Sequence, residues 1–404
     1  ISINNLYLTL PTCGGDNETG RTITVLYLDN AATSWPKPEE VYRTHDTVLR
    51  SGGNAGRGVN QASLAAGRQL IHTREKLAQL FKIKKSERII FTQNVTEALN
   101  TGLRGLLSPG DHVLISALEH NSVVRPLESL KSCGVAYTVA PCTREGVLDV
   151  DGLEQYLRKQ TKLLMFTHAS NVLGTILPLK EIGEFARRRH LLLGVDAAQT
   201  AGTIPLDVED MKIDFLAFTG HKSLFGPPGT GGFYLREGLK LAPLLYGGTG
   251  TNSASLDQPS VWPEGMESGT RNVPGIAALG AGIDFILNEG LEKIRRHEVG
   301  LIIRLQELLA TLPQVEILGP REAELRTGLL SCTFGGISPD YVSAQLDRKY
   351  GIITRSGLHC APLAHQTAGT LKQGALRISP GVFNTSADME VLYLALKEIL
   401  AGER

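Results

Sequence analysis

The stretch Phe218-Thr219-Gly220-His221-Lys222-Ser223-Leu224-Phe225-Gly226-Pro227-Pro228-Gly229-Thr230-Gly231-Gly232 sets one lysine between an apolar run and a glycine-rich loop. The run Ile213 to Phe218 reads as a buried strand, so Lys222 falls where such strands deliver side chains into a ligand crevice. A desolvated lysine has a depressed pKa, and its free amine can add to a carbonyl and form a Schiff base. The glycines let backbone approach a flat ring or a phosphate closely. This is the profile of a lysine that holds pyridoxal phosphate. A lysine near a strand end beside an ordinary turn would read the same, so the other groups that this cofactor needs must decide.

Those groups are a carboxylate for the pyridinium nitrogen, a phosphate cradle and a ring cover. Asp196 ends the apolar run Leu191 to Val195 and could keep the ring nitrogen protonated; Gln199, three residues on, could reach the ring hydroxyl. An Asp after a strand is also a common helix N-cap. The segment Phe91-Thr92-Gln93-Asn94-Val95-Thr96-Glu97-Ala98 turns from strand to helix, and a helix N-terminus offers free N–H groups to an anion. Thr96 adds a hydroxyl there, and Thr219 and His221 could add contacts from the lysine segment. His120, in Leu118-Glu119-His120-Asn121-Ser122, could stack on the ring and shuttle protons, or serve the structure alone. Asn171, in Ala169-Ser170-Asn171-Val172-Leu173-Gly174, could touch substrate or ring oxygen, or simply occupy a turn.

Two motifs of the tail complete the set. Arg355-Ser356-Gly357-Leu358-His359-Cys360-Ala361-Pro362 puts one thiol on a loop bounded by glycine and proline. Such a thiol can be a nucleophile, although most lone cysteines are small buried hydrophobes. Arg377 lies within the strand-like Ala375-Leu376-Arg377-Ile378, where a buried guanidinium wants a planar anion: a substrate carboxylate, or an internal ion-pair partner.

The elements that must position these residues alternate, strand with helix, through the middle of the chain. Strands are expected at 88–92, 111–116, 135–139, 162–168, 191–195, 213–219 and 232–235. Helices are expected at 96–106, 124–133, 152–158 and 179–189. This pattern predicts an α/β fold with a mainly parallel seven-stranded sheet sandwiched by helices. A long helical stretch, 277–312, leads into strands at 315–318, 329–334 and 375–378 and helices at 340–350 and 387–401. Thr385 with Asp388 resembles a capping box at the start of the last helix. The expected division is a large domain, 39–288, and a smaller α+β domain of 1–38 with 289–404 that carries the cysteine loop.

A chain of 404 residues with 42% hydrophobic and 20% charged residues is globular, and two domains are its prior. Forty-one basic residues balance forty-one acidic ones, which argues against nucleic acid as a partner. No apolar run has the length to span a bilayer, and residues 1–24 carry neither signal-peptide nor transit-peptide features. The five cysteines are Cys13, Cys133, Cys142, Cys332 and Cys360, and their spacing suggests no disulfide framework. A reducing cytoplasm is the expected location. No metal cluster is expected.

In order, the motifs Leu28-Asp29-Asn30-Ala31-Ala32-Thr33, Gly56-Arg57-Gly58, Thr96-Glu97-Ala98-Leu99-Asn100 and Glu119-His120-Asn121-Ser122 resemble the class V aminotransferase superfamily. Ser170-Asn171-Val172-Leu173-Gly174, Val195-Asp196-Ala197-Ala198-Gln199, the Lys222 segment, Glu267-Ser268-Gly269-Thr270 and the Cys360 motif continue it, and the last is similar to the cysteine desulfurases. The resemblance implies a homodimeric enzyme of the pyridoxal-phosphate transferase fold type I. Lys222 would hold the cofactor, His120 would cover the ring, and Asp196, Gln199 and Asn171 would contact it. Val95, Thr96, Thr219 and His221 would form the phosphate site, completed by Thr270 of the partner subunit. Arg377, with Arg355 and Asn171, would hold the substrate carboxylate, and Cys360 would take sulfur from L-cysteine and pass it to an acceptor thiol or protein. The short cysteine loop is similar to the branch that also contains selenocysteine lyases. The chain departs from the pattern at Asn94-Val95-Thr96, where many relatives have Gly-Thr-Thr, at Leu358, often a histidine, and at Asn60, commonly a histidine.

Overall fold

The computed structural model describes residues 25–402, apart from Arg57, Val59, Asn252 and Ser253. Residues 1–24, with Cys13, and Arg57 of the Gly56–Gly58 motif therefore lie outside the described residues. In chain order the strands of the first half are β1 (Leu26–Tyr27), β2 (Ile89–Thr92), β3 (His112–Ser116), β4 (Ala136–Ala140), β5 (Thr161–Thr167), β6 (Leu192–Asp196), β7 (Phe215–Thr219) and β8 (Gly231–Leu235). Those of the tail are β9 (Val315–Leu318), β10 (Leu330–Phe334), β11 (Ile352–Ile353), β12 (Arg355–Gly357) and β13 (Ala375–Ile378). The helices are α1 (Glu39–Ser51), α2 (Gln61–Leu80), α3 (Val95–Leu106), α4 (Asn121–Leu130), α5 (Leu179–Arg188), α6 (Val273–Glu289), α7 (Leu291–Leu309), α8 (Pro339–Tyr350), α9 (Pro362–Ala368) and α10 (Ser386–Ala401).

Seven strands pair in the order β2-β8-β7-β6-β5-β3-β4. From β4 to β7 every pairing is parallel, while β8 runs antiparallel to both its neighbours. The reversal follows from the chain between β7 and β8, which turns straight back without the helical crossover that a parallel pair requires. Strands β3, β7 and β8 are buried along their whole length, as their apolar runs predict. One buried cluster lies on each face of this sheet, and each buried Leu, Ile or Phe stabilises it by roughly 1.5–3 kcal/mol. Parallel strands with helical crossovers bring their C-terminal ends to one edge, where Ser116, Thr167, Asp196 and Thr219 end β3, β5, β6 and β7.

A second sheet, β12-β13-β10-β9, is antiparallel throughout and shares a separate buried cluster with α7, α8 and α10. The segment before α1 reaches this second body. Strand β1 pairs with β11, Leu28 is fully buried among residues of the tail, and Asp29 bridges to Ser379.

Three local expectations are corrected. The segment 152–158 is a short 3₁₀ helix, Asp151–Tyr156, whose entry is tightened by Asp149 accepting from the Gly152 N–H at 3.1 Å. The stretch 277–312 is two helices, broken at Gly290, which adopts φ 86°. Helices α1 and α2 extend the expected set. α1 buries only Val41, and α2 leaves Leu64 and Ile71 exposed. The capping box at Thr385 and Asp388 is present as expected.

Candidate active site

Strand β7 delivers Lys222 through a turn that only glycine permits. The Gly220 N–H donates to the Thr230 carbonyl at 2.8 Å. A Cβ on Gly220 would lie 2.1 Å from Thr230 Oγ1. The next peptide is clamped from the far end of the sequence: the His221 carbonyl accepts from Ser34 N (3.0 Å), Thr33 Oγ1 (3.0 Å), Ser34 Oγ (3.2 Å) and Lys37 Nζ (3.3 Å). Four donors on one carbonyl fix the backbone that carries Lys222. Burial pushes the Lys222 amine down to about 8, Asp196 opposing and Arg377 and Arg355 adding to the fall.

Asp196 is buried at the end of β6 and close enough to Lys222 for each to shift the other. Its Oδ1 accepts from the Ala198 N–H at 2.9 Å, so it serves the local turn as well as facing the amine. Burial raises its pKa, while the Ala198 bond and Lys222 lower it. Gln199 lies beside it and donates to the Ala31 carbonyl at 3.2 Å. Beneath them Glu119 is fully buried and accepts from Ser116 Oγ (2.5 Å) and the Thr167 N–H (2.9 Å). Burial pushes this carboxyl up to about 8 against those two bonds.

The turn between β2 and α3 is built as a reciprocal cap. Asn94 accepts from the Glu97 N–H at 3.0 Å, and Glu97 accepts from the Gln93 N–H at 2.7 Å. Gly231 admits this turn, since a Cβ there would lie 2.7 Å from the Asn94 Cα. That glycine thus serves backbone packing against the helix entrance. Thr96 Oγ1 lies 3.0 Å from Ser122 Oγ, which lies 2.7 Å from His120 Nδ1. His120 is itself the N-cap of α4: its Nδ1 accepts the Ser122 N–H at 3.1 Å, so the neutral ring carries its proton on Nε2. Burial pushes His120 down to about 4, reinforced by Lys222 and nearby arginines, and it is neutral at pH 7. His221 falls to about 4 for the same reason, with Lys222 and Lys37 adding to burial. Thr219 Oγ1 is buried without a hydrogen-bond partner among the described residues.

The cysteine loop is pinned at two successive carbonyls. Asn171 Nδ2 donates to the His359 carbonyl at 2.7 Å, and the Asn121 N–H donates to the Cys360 carbonyl at 2.8 Å. His359 and Cys360 both hold left-handed backbone, φ 50° and 56°, which non-glycine residues keep only under outside support. Cys360 is exposed and lines a cleft of about 360 Å³ with Thr96, His120, Ser122 and Arg125. Arg377 is fully buried; its Nη2 donates to Asp29 at 2.7 Å and its Nη1 to the Asn171 carbonyl at 3.2 Å. The internal ion pair therefore exists, yet Nε remains a buried donor without a partner among the described residues. Arg355 sits directly opposite Arg377 in the β12–β13 register.

Lys222 thus feels Asp196, Arg377 and Arg355, His120 feels Lys222, Arg355 and Arg377, and Thr96, His120 and Cys360 share one cleft. Thr270 is not brought in: it lies exposed on the segment before α6. Thr33, Ser34, Lys37 and Ser122 join the site without having been anticipated. The only signal for them is their place beside the Leu28–Thr33 and Glu119–Ser122 motifs. The residues fit pyridoxal phosphate: a partly deprotonated amine faces a buried carboxylate, and a buried threonine hydroxyl awaits an acceptor.

Known proteins agree. Residues 26–392 match the family described as Aminotransferase class-V, whose members typically depend on pyridoxal phosphate. A probable cysteine desulfurase of Methanothermobacter thermautotrophicus is 35% identical over 386 residues, covering 93% of this chain and 94% of that protein. One from Halalkalibacterium halodurans is 33% identical over 385 residues, covering 93% of each. The apo cysteine desulfurase of Thermococcus onnurineus NA1 superposes with a TM-score of 0.88 at 35% identity, over 94% of this chain and 95% of that one. The sheet architecture is accordingly that of fold type I. The chain belongs to the class V aminotransferase family and is homologous to its cysteine desulfurases.

Proposed function

We propose that this protein is a pyridoxal-phosphate-dependent cysteine desulfurase that converts L-cysteine to L-alanine and keeps the sulfur on Cys360. The observation that carries this reading is an exposed thiol, held on a doubly pinned loop, opening onto the cleft that also contains His120 and Thr96. Its relatives among the cysteine desulfurases support the same substrate.

Lys222 would hold the cofactor, Asp196 would face the pyridinium nitrogen, Gln199 and Asn171 the ring oxygen, and His120 the ring face. Val95, Thr96, Thr219 and His221 would hold the phosphate, with Thr270 of the partner subunit in a homodimer. Bound pyridoxal phosphate supplies an electron sink that acidifies the substrate's α-carbon. The protein does the rest. Arg377 offers its free Nε–H, with Arg355 beside it, to the substrate carboxylate. The Lys222 amine, held near 8, can take the α-proton at neutral pH. Cys360 acts as thiolate on the substrate sulfur. The Cβ–S bond breaks with its electron pair going to Cβ as the S–S bond forms; Cβ takes one proton, balancing the one lost from the Cys360 thiol, and the α-proton returns to Cα. Alanine leaves and Cys360 keeps a persulfide, which passes to an acceptor thiol or protein. We also infer that residues 39–288 form one unit and that 1–38 with 289–404 form another carrying the cysteine loop.

The test is purified, cofactor-loaded protein given L-cysteine, L-selenocysteine and L-cysteine sulfinate, with alanine quantified and Cys360 examined by peptide mass spectrometry. Alanine from cysteine with a persulfide on Cys360, both lost in Cys360→Ala, is expected. Unimpaired alanine release from cysteine by Cys360→Ala contradicts the proposal. Activity confined to selenocysteine would point to the lyase alternative. Cofactor converted to its amine form, recovering only with an oxo acid, would point to a transaminase.

A further inference from the structure

Behind Cys360 runs a chain of hydrogen bonds, buried except at its Arg355 end, that the proposed chemistry leaves unused. His359 Nε2 lies 3.3 Å from the Arg355 carbonyl, His359 Nδ1 lies 3.3 Å from His365 Nε2, and His365 Nδ1 lies 2.8 Å from Thr370 Oγ1. The two rings are 5.6 Å apart and within 11° of parallel. His359 is 3% exposed, and His365 and Thr370 are 0% and 2% exposed.

One end of this chain dictates every proton along it. A carbonyl can only accept, so His359 Nε2 carries the hydrogen that faces Arg355. The Nδ1 of that neutral ring must then accept, which makes His365 Nε2 the donor. His365 Nδ1 in turn accepts the Thr370 hydroxyl. Both rings are neutral, held so by burial first and, at His359, by Arg377 and Arg355 as well. Both nitrogens of His359 are therefore engaged, and neither is free to take a proton from its neighbour Cys360.

We propose that His365 is a positioning residue for Cys360. Its Nε2–H locks His359 against the interior, and the locked ring braces the two left-handed residues that aim the thiol into the cleft. His359 is then a brace and not the base of the cysteine. His365 acts from α9, whose first turn follows the loop directly, and the Thr370 N–H donates to the His365 carbonyl at 2.8 Å. The inference deepens the desulfurase reading and rests on it for what the aimed thiol does, but the aiming is measurable without turnover.

The experiment compares full-length, cofactor-loaded His365→Phe, His365→Gln and Thr370→Val with wild type. His365→Phe keeps a flat ring and removes the donor, whereas His365→Gln keeps an N–H near the same place. Two rates are read at one pH: alkylation of Cys360 by iodoacetamide, followed by peptide mass spectrometry, and alanine release from L-cysteine with dithiothreitol as acceptor. In His365→Phe the loop loosens and His359 Nδ1 is freed, so alkylation rises about tenfold and kcat for alanine falls about tenfold with KM unchanged. His365→Gln stays within about threefold of wild type on both rates. Thr370→Val moves both in the same direction by about threefold, and it decides the matter should His365→Phe fail to fold. Wild-type rates in His365→Phe, equal losses in the Phe and Gln variants, or an unaltered Thr370→Val would each overturn the proposal. If wild type releases no alanine, the desulfurase reading fails, while the alkylation contrast still judges the positioning role.

Discussion

Asp29 and Arg377 form an ion pair, 2.7 Å between Oδ1 and Nη2, that joins the opening motif of the chain to its last strand. The pair leaves one guanidinium donor unspent, and Arg355 lies opposite it across two strands. The Asp29 bond, with the Nη1–H donated to the Asn171 carbonyl, holds the Arg377 guanidinium in a fixed orientation from which to meet a carboxylate.

Substrate affinity should therefore depend on the guanidinium and, more weakly, on its carboxylate anchor. Arg377→Lys keeps charge but loses the planar fork, and is expected to raise KM for L-cysteine about 30-fold or more with cofactor binding retained. Asp29→Asn should raise KM about tenfold. Asp29→Ala strands a buried cation and should also destabilise the fold by about 3 kcal/mol. Initial-rate kinetics and urea titrations measure these effects, and an unchanged KM in Arg377→Lys would remove Arg377 from the substrate site.

The Lys222 amine is reactive only when deprotonated, and its pKa lies near 8. The rate of cofactor capture by the apo protein should climb with pH through about 8 and level off above it. Asp196 raises the Lys222 pKa, so Asp196→Asn should move that midpoint lower while weakening cofactor retention. Stopped-flow absorbance over a pH series reads both. A midpoint that moves upward in Asp196→Asn would contradict the assigned pairing.

Asn171 holds the cysteine loop through a single 2.7 Å bond to the His359 carbonyl. Asn171→Ala is expected to lower alanine release about tenfold and, because Asn171 would also face the ring oxygen, to weaken cofactor retention. Asn171→Asp, which turns an acceptor toward that carbonyl, should do worse. Equal activity of wild type and Asn171→Asp would show that the loop does not depend on this bond.

Glu119 gives a pH dependence of stability. Its folded pKa, about 8, lies above its ordinary 4.5, so the folded protein binds the extra proton between those values. Its contribution is complete at low pH and is lost as pH rises toward 8, by at most about 1.4 kcal/mol per unit. Glu119→Gln cannot lose that proton, so it should gain stability relative to wild type between pH 5 and pH 8. Melting temperatures across that range report it, and parallel curves would refute the buried neutral acid.

The residues legible in the sequence are those that follow a strand end. Lys222 and Asp196 follow or close apolar runs whose strands are wholly or almost wholly buried, and parallel topology sends such ends to one edge. Cys360 and Arg377 stood out because a thiol between glycine and proline, and a cation inside an apolar strand, are both out of place locally. The clamp by Thr33, Ser34 and Lys37 was hidden, because its partner is a backbone carbonyl at position 221 and nothing periodic announces such a contact. The same holds for His365 and Thr370, whose side chains hydrogen-bond to each other and, through His365, to His359. The break between α6 and α7 was written in the sequence as Gly290, but apolar residues continue on both sides and conceal it.

Everything proposed for catalysis passes through the amine of Lys222. Purified protein loaded with pyridoxal phosphate, reduced with borohydride, digested and examined by mass spectrometry should carry the pyridoxyl adduct on the Lys222 peptide, and Lys222→Ala should carry none. An adduct on a different lysine, or none on wild type saturated with the cofactor, would contradict the account.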